Sequence, residues 1–469
     1  MKIKHRELEI KQDAPFANCQ LEREQYAEAL TNIVEIYSDG FVLAINNEWG
    51  SGKTTFVKMW QQHLKNNNFE TVYFNAWEND FDSNPLIAIM SELKLLINTK
   101  NKDAFNSVIK KGALITKNIL PALLKAVAKK YIDTDELIDA IENTTKGATE
   151  IFEEEIKEYA NKKDSIIDFR QELEKFISKT ESPKPLIFII DELDRCRPNY
   201  AVDVLEQMKH FFSVSGIVFV LSIDKTHLAS SIRGYYGSEN INTDEYLRRF
   251  IDLEYSIPAP SSKIFCKYLY QYYGFDEFFS SDERKRYSLF RDDKNSFLKI
   301  SEILFNKSNS TLRQQEKIFA HSRLVLKSFK PNSYTFPHLF FFLLFIKNLD
   351  IIFYKKIENK SLTLQELSDS FANIMDSIDD SDHSLNLIYI QALLLVFYNN
   401  SFDYNTREEL ISTDTEGRNF TLISSKLENH KRHSKLLYCI VDVIRSSDYG
   451  HTSLSYLLKK INLTETLKI

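Results

Sequence analysis

A glycine-rich segment that leads into a lysine and two threonines is the strongest chemical signal in the sequence. It follows an apolar run over Phe41–Ile45, and we call residues 47–55 the lysine loop. Glycines let such a loop curl until successive backbone N–H groups point at phosphate oxygens, and the N-terminus of the next helix adds positive potential. In this pattern the lysine reaches the β- and γ-phosphates, and the hydroxyl of the next residue coordinates Mg²⁺. The residues predicted to contact a nucleotide here are Asn47, Glu48, Trp49, Gly50, Ser51, Gly52, Lys53, Thr54 and Thr55.

One position of the lysine loop departs from the pattern G-x-x-x-x-G-K-[ST]. Asn47 stands where the first glycine is expected. Asparagine is among the few residues besides glycine that tolerate a left-handed backbone, so we expect the loop to close around phosphates. The alternative is a chance Gly-Ser-Gly-Lys turn between a strand and a helix, and a second motif argues against it.

That second motif is a pair of acids at the end of the apolar run Leu186–Ile190. Asp191 would hold Mg²⁺ through the water shell of the ion, and Glu192 would polarise the attacking water. Adjacent acids at a strand end could instead cap a helix that starts near Asp194. Together the two motifs contain the parts needed to bind a metal–triphosphate and position water, and they favour ATP and Mg²⁺ as the bound groups.

Polar residues at two further strand ends could complete the site. Ser222 lies at the end of the run Ile217–Ile223 and could sense the γ-phosphate, although a serine there could equally cap a turn. Arg248 and Arg249 precede a fifth run, where an arginine would reach the nucleotide of a neighbouring subunit if subunits stacked. The alternative is that they pair with carboxylates of the same chain. The predicted catalytic residues are Lys53, Asp191, Glu192, Ser222 and Arg249, and the predicted metal ligands are Thr54 and Asp191.

Five short segments, separated by helical ones, predict the α/β fold of a P-loop nucleoside triphosphatase. Four are continuous apolar runs, which is typical of strands buried on both faces of a parallel sheet, and the fifth alternates as a half-exposed edge strand would. We predict a five-stranded parallel sheet in the spatial order 5-1-4-3-2, with Ser222 between Lys53 and Asp191 at the carboxyl edge. The segments are Phe41–Ile45, Thr71–Phe74, Leu186–Ile190, Ile217–Ile223 and Ile251–Ile257.

The rest of the chain is predicted to be helical. About 110 residues separate the second and third strands, which is far beyond an ordinary crossover and indicates an insertion. We divide the chain into a nucleotide-binding core at 1–80 and 181–260, a large helical insertion at 81–180, a helical extension at 261–330 and a C-terminal helical domain at 331–469. One face of a helix in the insertion is predicted from Ile166, Phe169, Leu173, Phe176 and Ile177.

Composition and charge set limits on function. The chain has 469 residues, a net charge of −6 and a hydrophobic content of 43%, so two or three globular domains are expected. The negative charge does not indicate nucleic-acid binding, although a local basic patch stays open. Four widely spaced cysteines lack zinc-site spacing and are typical of free thiols in a reducing compartment. Without a signal peptide, a cytoplasmic protein is expected.

Two apolar stretches raise the question of membrane contact. Leu339–Ile346 is far shorter than the roughly 20 residues that a spanning helix needs. Leu385–Tyr398 is longer but is interrupted by Asn386 and Gln391. We interpret both as buried helices of the C-terminal domain, with peripheral membrane contact as the alternative.

Beyond the two motifs, the chain resembles the KAP family of P-loop NTPases over roughly residues 13–330. The resemblance implies that Arg313 touches the nucleotide and that the segment around Arg23 lines the adenine, with Glu22 where a glycine is usual. Asn75 and Trp77 are family markers only, and Trp77 is expected to pack in the core beside the site. The segments that carry the resemblance are Glu48–Thr54, Phe74–Trp77, Asp191–Pro198, Val220–Asp224, Tyr246–Phe250 and Thr311–Lys317.

The resemblance also bears on function. Many family members carry transmembrane helices between their nucleotide motifs, where this chain has a charged insertion, and bacterial members act in phage exclusion, often with partner proteins. Three classes compete: an ATP-driven conformational switch that serves partners, a motor or clamp stimulated by nucleic acid, and a membrane-associated scaffold with little turnover. The switch is favoured because the negative charge and the lack of a nucleic-acid-binding motif disfavour the motor. Self-association through an arginine finger would fit such a switch.

Overall fold

A five-stranded parallel sheet forms the centre of the N-terminal part of the chain. The computed structural model describes residues 8–37, 39–81, 84–118, 148–306, 308–375, 384–428, 434–446 and 449–463. The strands lie in the order β2-β3-β4-β1-β5, which confirms the predicted order when read from the other edge. They are β1 (Val42–Asn46), β2 (Thr71–Asn75), β3 (Leu186–Asp191), β4 (Ile217–Ile223) and β5 (Leu253–Tyr255).

The chain forms two compact units. The first covers Glu7–Pro258 and contains the sheet, and the second is built from Ala259–Ile469. The finer division into core, insertion, extension and C-terminal domain stays a prediction. In the first unit the helices are α1 (Glu24–Ile36), α2 (Lys53–Asn66), α3 (Ala76–Asn79), α4 (Pro85–Leu93), α5 (Lys102–Asn118), α6 (Ala148–Ile177), α7 (Pro198–Phe211), α8 (Lys225–Tyr236) and α9 (Thr243–Leu247), with 3₁₀ helices at Lys94–Leu96 and Leu193–Arg195.

Alternation along the buried strands divides the core of the first unit between the two faces of the sheet. On one face, Leu43 and Ile45 of β1 pack in a cluster with Phe56 and Trp60 of α2. On the other face, Ala44 belongs to a larger cluster that includes side chains from α5 and α6. The described part of the insertion therefore covers one face of the sheet; residues 119–147 lie outside the described residues. As predicted, the inward-facing residues of α6 include Phe169, Leu173, Phe176 and Ile177, with Ile166 partly buried.

The edge strand is shorter than predicted. The alternating run Ile251–Ile257 forms a strand only over Leu253–Tyr255. At one end, the Asp252 carboxylate accepts a hydrogen bond from Val42 N at 2.8 Å. At the other end, the side chain of Asn47 pairs with the backbone of Ile257. Side chains thus add to the backbone pairing at the first end, where Asp252 N also donates to Val42 O at 3.0 Å, and replace it at the second. A pattern of apolar residues cannot predict these side-chain contacts.

The second unit is almost entirely helical where it is described. Its helices are α10 (Ser262–Tyr272), α11 (Asp276–Phe279), α12 (Asp282–Lys285), α13 (Asp293–Asn306), α14 (Leu312–Leu326), α15 (Pro337–Leu349), α16 (Ile351–Glu358), α17 (Leu364–Met375), α18 (Ser384–Asn399), α19 (Lys435–Arg445) and α20 (Ser455–Asn462). Short 3₁₀ helices cover Ser288–Phe290 and Tyr404–Thr406, and a two-stranded hairpin joins β6 (Ile411–Thr413) to β7 (Asn419–Thr421).

The two apolar stretches lie in the core of this unit. Every residue of Leu339–Ile346 in α15 is buried, and most of Leu385–Tyr398 in α18 is buried as well. Both are therefore core helices, as predicted. Within the described ranges, no helix combines the length and the apolar character that a membrane span requires. The four cysteines are free thiols, as the sequence indicated.

Candidate nucleotide site

The carboxyl ends of the strands form one row of residues along an edge of the sheet. Asn75 of β2 lies in register with Asp191 of β3, and Asp191 lies in register with Ser222 of β4. Ser222 in turn pairs with Ile45 of β1, directly before the lysine loop. Neighbouring strands are about 4.8 Å apart, so only the width of β4 separates Asp191 from the strand that leads into the loop.

Two glycines give the lysine loop its curl. Gly50 and Gly52 have φ angles of 84° and 83°, in the left-handed region that residues with a side chain rarely adopt. Helix α2 begins at Lys53, directly after Gly52. The N–H groups of its first turn have no acceptor inside the helix. The loop and the helix start therefore form a curved row of backbone donors at the positive end of a helix dipole, which is an anion-binding arrangement.

The ammonium group of Lys53 lies within this curl. Its Nζ atom donates hydrogen bonds to the carbonyl oxygens of Asn47 and of Glu48, the latter at 3.1 Å. The residue is 8% exposed. Burial lowers the pKa of Lys53, and the negative charge of Asp194 opposes that shift most strongly. The lysine is thus a buried cation held by backbone oxygens in the part of the loop predicted to receive phosphates.

Asn47 does not have the left-handed backbone that was expected at the position of the missing glycine. Its side-chain amide forms two hydrogen bonds with Ile257 instead. The Nδ2 atom donates to Ile257 O, and the Oδ1 atom accepts from Ile257 N, both at 2.9 Å. The amide imitates a pair of backbone hydrogen bonds and fastens the start of the loop to the segment after β5. A glycine could not make this contact.

The two acids at the end of β3 are held by different partners. Asp191 is 1% exposed, and its Oδ2 atom accepts a hydrogen bond from the Tyr73 hydroxyl at 2.9 Å. Glu192 has a φ of 60°, a costly conformation that is often found at functional sites. Its carboxylate accepts from Asn75 Nδ2 at 3.3 Å and pairs with Arg195 at 2.7 Å. The Tyr73 contact was missed by the sequence reasoning, although Tyr73 lies two residues before Asn75 on the neighbouring strand.

Glu192 does not cap the turn that follows it, although Asp191 Oδ1 accepts a hydrogen bond from Glu192 N at 3.0 Å. Glu192 precedes the 3₁₀ helix Leu193–Arg195, but its side chain makes no capping hydrogen bond there. Burial raises the pKa of Glu192, the charge of Arg195 lowers it, and the charge of Asp191 raises it. A carboxyl group with a raised pKa beside a second acid is a candidate proton acceptor.

Aromatic side chains and an arginine pack together beside the lysine loop. The ring of Trp49 stacks on His227 with centroids 3.6 Å apart and planes 8° apart. The Arg195 guanidinium lies 5.7 Å from the centroid of Trp49 and 5.5 Å from that of Trp77. Trp49 Nε1 also donates to the carboxylate of Asp194. Because Trp77 is 53% exposed, the expectation that it packs in the core was wrong; it is a surface partner of Arg195.

Arg23 contacts the backbone of the lysine loop. Its Nη2 atom donates to Ser51 O at 2.7 Å, and its Nη1 atom donates to Gly52 O at 3.1 Å. The preceding residue, Glu22, has a φ of 54°. A left-handed backbone at this position agrees with the implication that a glycine is usual there.

Two buried hydroxyl groups of the candidate site have no hydrogen-bond partner within the described part of the chain. They are the Oγ atoms of Ser222, next to Asp191 in the register, and of Ser51 in the loop. Buried polar atoms rarely lack a partner, so both are available to a ligand or its water shell. Thr54 lies in the first turn of α2 and is half-buried. No group of three His, Cys, Asp or Glu side chains in the described residues could hold a metal alone. Mg²⁺ commonly takes one or two protein oxygens together with phosphates and water, and Thr54 with Asp191 fits that requirement.

The arginines that follow the strands and the arginine of the second unit differ in their surroundings. Arg197 pairs with Asp80. Arg248 and Arg249 follow α9 and are exposed, and their guanidinium groups form no ion pair or hydrogen bond with any residue that the structure describes. Arg195 and Arg197 therefore pair with carboxylates of the same chain, whereas Arg248 and Arg249 form no such pair within the described residues. Arg313 is exposed in the first turn of α14, in the second unit, and its contact with a nucleotide stays a prediction.

Fold and site together define a class of protein. A parallel sheet of this order, a lysine loop after β1 and an acid pair after β3 are the features of P-loop nucleoside triphosphatases. The chain is a nucleotide-binding protein of this class.

Comparisons with known proteins give the family. Residues 23–330 match the model of the KAP family P-loop domain, so the chain belongs to the KAP family of P-loop NTPases. No curated protein matches it. One similar solved structure is the ORC2 protein of Aeropyrum pernix in its ADPNP–ADP complexes. It is 14% identical, the match covers 91% of this chain and 95% of that one, and the TM-score is 0.33.

Proposed function

We propose that this chain binds ATP with Mg²⁺ and hydrolyses it, and that hydrolysis drives a conformational switch. One observation supports this most directly: the register of β3, β4 and β1 brings Asp191 within one strand of the lysine loop, with Glu192 directly after it. Phosphoryl transfer needs a phosphate-binding lysine, a metal-binding acid and a residue that positions water at this kind of spacing.

Each residue has a separate role in the proposed reaction. Backbone N–H groups of the lysine loop and Lys53 hold the phosphates. Thr54 and Asp191 would hold Mg²⁺, which would neutralise negative charge on the phosphates. Glu192 accepts a proton from the attacking water, and Ser222 hydrogen-bonds to the γ-phosphate or to the water beside it. Asn75 and Arg195 orient the Glu192 carboxylate.

The pH dependence of hydrolysis should depend on Arg195. Burial raises the pKa of Glu192 and the charge of Arg195 lowers it. Glu192 must be ionised to accept a proton, so kcat falls as the pH drops through this pKa. Arg195→Gln removes the charge that lowers the pKa, and we expect the acid limb of the kcat profile to move to higher pH. Arg197→Gln, which alters a residue paired with Asp80, should leave the limb in place. An unmoved limb in Arg195→Gln would contradict the assigned pairing.

Self-association is the second part of the proposal. The exposed guanidinium groups of Arg248 and Arg249 have no partner in the described chain, although exposed arginines readily pair with nearby acids. These arginines would lack a partner in their own chain if one of them stabilised the γ-phosphate of a nucleotide bound to a neighbouring subunit. Arg249 is our first candidate for that role.

Mixing two inactive variants tests the shared site. Lys53→Ala removes the phosphate-binding half and Arg249→Ala removes the arginine half. We expect each to be inactive alone and their mixture to recover up to roughly a quarter of the wild-type rate, because some interfaces then join two intact halves. Arg233→Ala, which alters an arginine already paired with Glu239, is the control and should stay active alone. No recovery from the mixture, together with a protein that remains monomeric with ATP, would contradict the proposal.

The biological setting is proposed from the family. Phage exclusion by bacterial relatives supports a role in which partner proteins read the ATP-bound state. The ATPase rate of the protein is measured alone and with DNA, RNA or lipid vesicles. These rates distinguish the conformational switch from the motor stimulated by nucleic acid and from the membrane-associated scaffold. We expect a basal rate that nucleic acid does not raise, since the net charge is −6. A strong rise with DNA or RNA would favour the motor instead.

A further inference from the structure

Arg23 is a buried cation for which the described part of the chain supplies no carboxylate. It is 3% exposed, and among the described residues no carboxylate pairs with it; the titratable groups that act on it most are Cys19 and Tyr26. Burial lowers the pKa of Arg23, but a guanidinium keeps its proton in proteins. Buried charges are normally paired, because an unpaired charge loses its hydration without compensation.

The two acceptors of Arg23 fix the direction of two peptide groups. The guanidinium binds the carbonyl oxygens of Ser51 and Gly52. In a planar trans peptide the carbonyl oxygen and the following N–H point in opposite directions. Holding Ser51 O and Gly52 O on the Arg23 side therefore keeps the N–H groups of Gly52 and Lys53 pointing away from Arg23. Gly52 O also accepts a hydrogen bond from Phe56 N at 3.1 Å, so Arg23 reinforces the start of α2 at that peptide group.

The fit between Arg23 and the loop is close. A Cβ atom at Gly52 would lie 2.9 Å from Arg23 Nη1. The glycine therefore meets two requirements, a left-handed φ and the close approach of this side chain. The Nε atom of Arg23 is also buried without a hydrogen-bond partner within the described residues. The guanidinium therefore binds the loop while one of its own N–H donors stays unsatisfied.

We propose that Arg23 is a positioning residue of the nucleotide site, which orients two N–H groups toward the phosphates and receives its counter-charge from them. The inference rests on the proposed nucleotide function and goes beyond the adenine contact that the family resemblance implies. The cation polarises both peptide groups, and hydrogen bonds in such a chain strengthen one another. Binding of a polyphosphate compensates a charge that the nucleotide-free fold buries at a cost.

Stability and affinity should therefore respond in opposite ways to the loss of Arg23. A structural arginine stabilises the fold, so removing it lowers the melting temperature. Arg23 instead has no carboxylate partner among the described residues and is held only by the carbonyl oxygens of Ser51 and Gly52, and its side chain does not cap α1. Removing the charge with Arg23→Met, which keeps the length of the side chain, should leave the melting temperature of the nucleotide-free protein unchanged or raised.

The test compares Arg23→Met with Arg170→Met in the full chain. Arg170 also donates to two backbone carbonyl oxygens, those of His210 at 2.9 Å and Lys209 at 3.2 Å, but at the end of α7. We expect Arg23→Met to raise the Kd for Mg·ATP, measured by calorimetry, roughly 10- to 100-fold, the usual range for a lost hydrogen bond to a charged group. Arg170→Met should lower the melting temperature and leave the Kd unchanged.

Two results would overturn the inference. One is a wild-type Kd in Arg23→Met. The other is a fall in melting temperature of the nucleotide-free protein as large as that of Arg170→Met, which would make Arg23 an ordinary structural residue. A wild-type protein that does not bind Mg·ATP would instead overturn the proposed function, and the wild-type titration reports this separately.

Discussion

Glu192→Gln should bind ATP as tightly as the wild-type protein and hydrolyse it roughly 10²- to 10⁴-fold more slowly, the usual contribution of a general base. Glutamine keeps the size of the side chain and can still meet Asn75, which now contacts the Glu192 carboxylate. It cannot accept a proton from water. Phosphate release gives the rate, and calorimetric titration with Mg·ATP gives the affinity.

Asp194→Asn, a substitution two residues away, is the control that distinguishes loss of the general base from loss of any buried carboxylate near it. Asp194 is also buried, and burial raises its pKa, but its carboxylate is engaged by Trp49 Nε1. Asp194→Asn should keep most of the activity. Wild-type turnover in Glu192→Gln would mean that the base is assigned to the wrong residue, and a low rate in Asp194→Asn would make Asp194 the next candidate.

Lys53→Ala should lose nucleotide binding, with a Kd for Mg·ATP raised on the order of 10²-fold or more, since each hydrogen bond to a charged group contributes strongly to affinity. The lysine is the buried cation inside the loop, and alanine leaves no donor there. Lys65→Ala removes an exposed lysine from the last turn of the same helix and should bind as the wild type does. Equal affinities in both variants would contradict the assignment of the loop.

The strand order and the edge that holds the site could be predicted because they depend on local patterns. Continuous apolar runs identify buried parallel strands, and the polar residues that follow them necessarily meet at one edge. Asp191, Ser222 and the lysine loop were placed in this way. The buried face of the insertion helix was predictable because apolar spacing determines which side is buried, and the burial of α15 was predictable from its continuous apolar run.

Contacts between distant segments could not be predicted from these patterns. The amide of Asn47 pairs with Ile257, 210 residues away in sequence, so its role differs from the left-handed backbone that its residue type suggested. The Tyr73 hydroxyl binds Asp191 only because β2 and β3 are neighbours. Trp77 was expected to pack in the core, but it is exposed and lies beside Arg195. In each case the partner comes from the tertiary fold.

The central claim is tested most directly by the release of phosphate from ATP by the purified full chain, measured with Mg²⁺, with EDTA and in the Lys53→Ala variant. We predict steady turnover with Mg²⁺ and rates at the background level in the other two samples, because Lys53 and the metal ligands Thr54 and Asp191 must act together. Turnover that persists equally in Lys53→Ala would come from another protein or another site. No turnover in the wild-type protein, even though it binds Mg·ATP, would contradict the proposed hydrolysis.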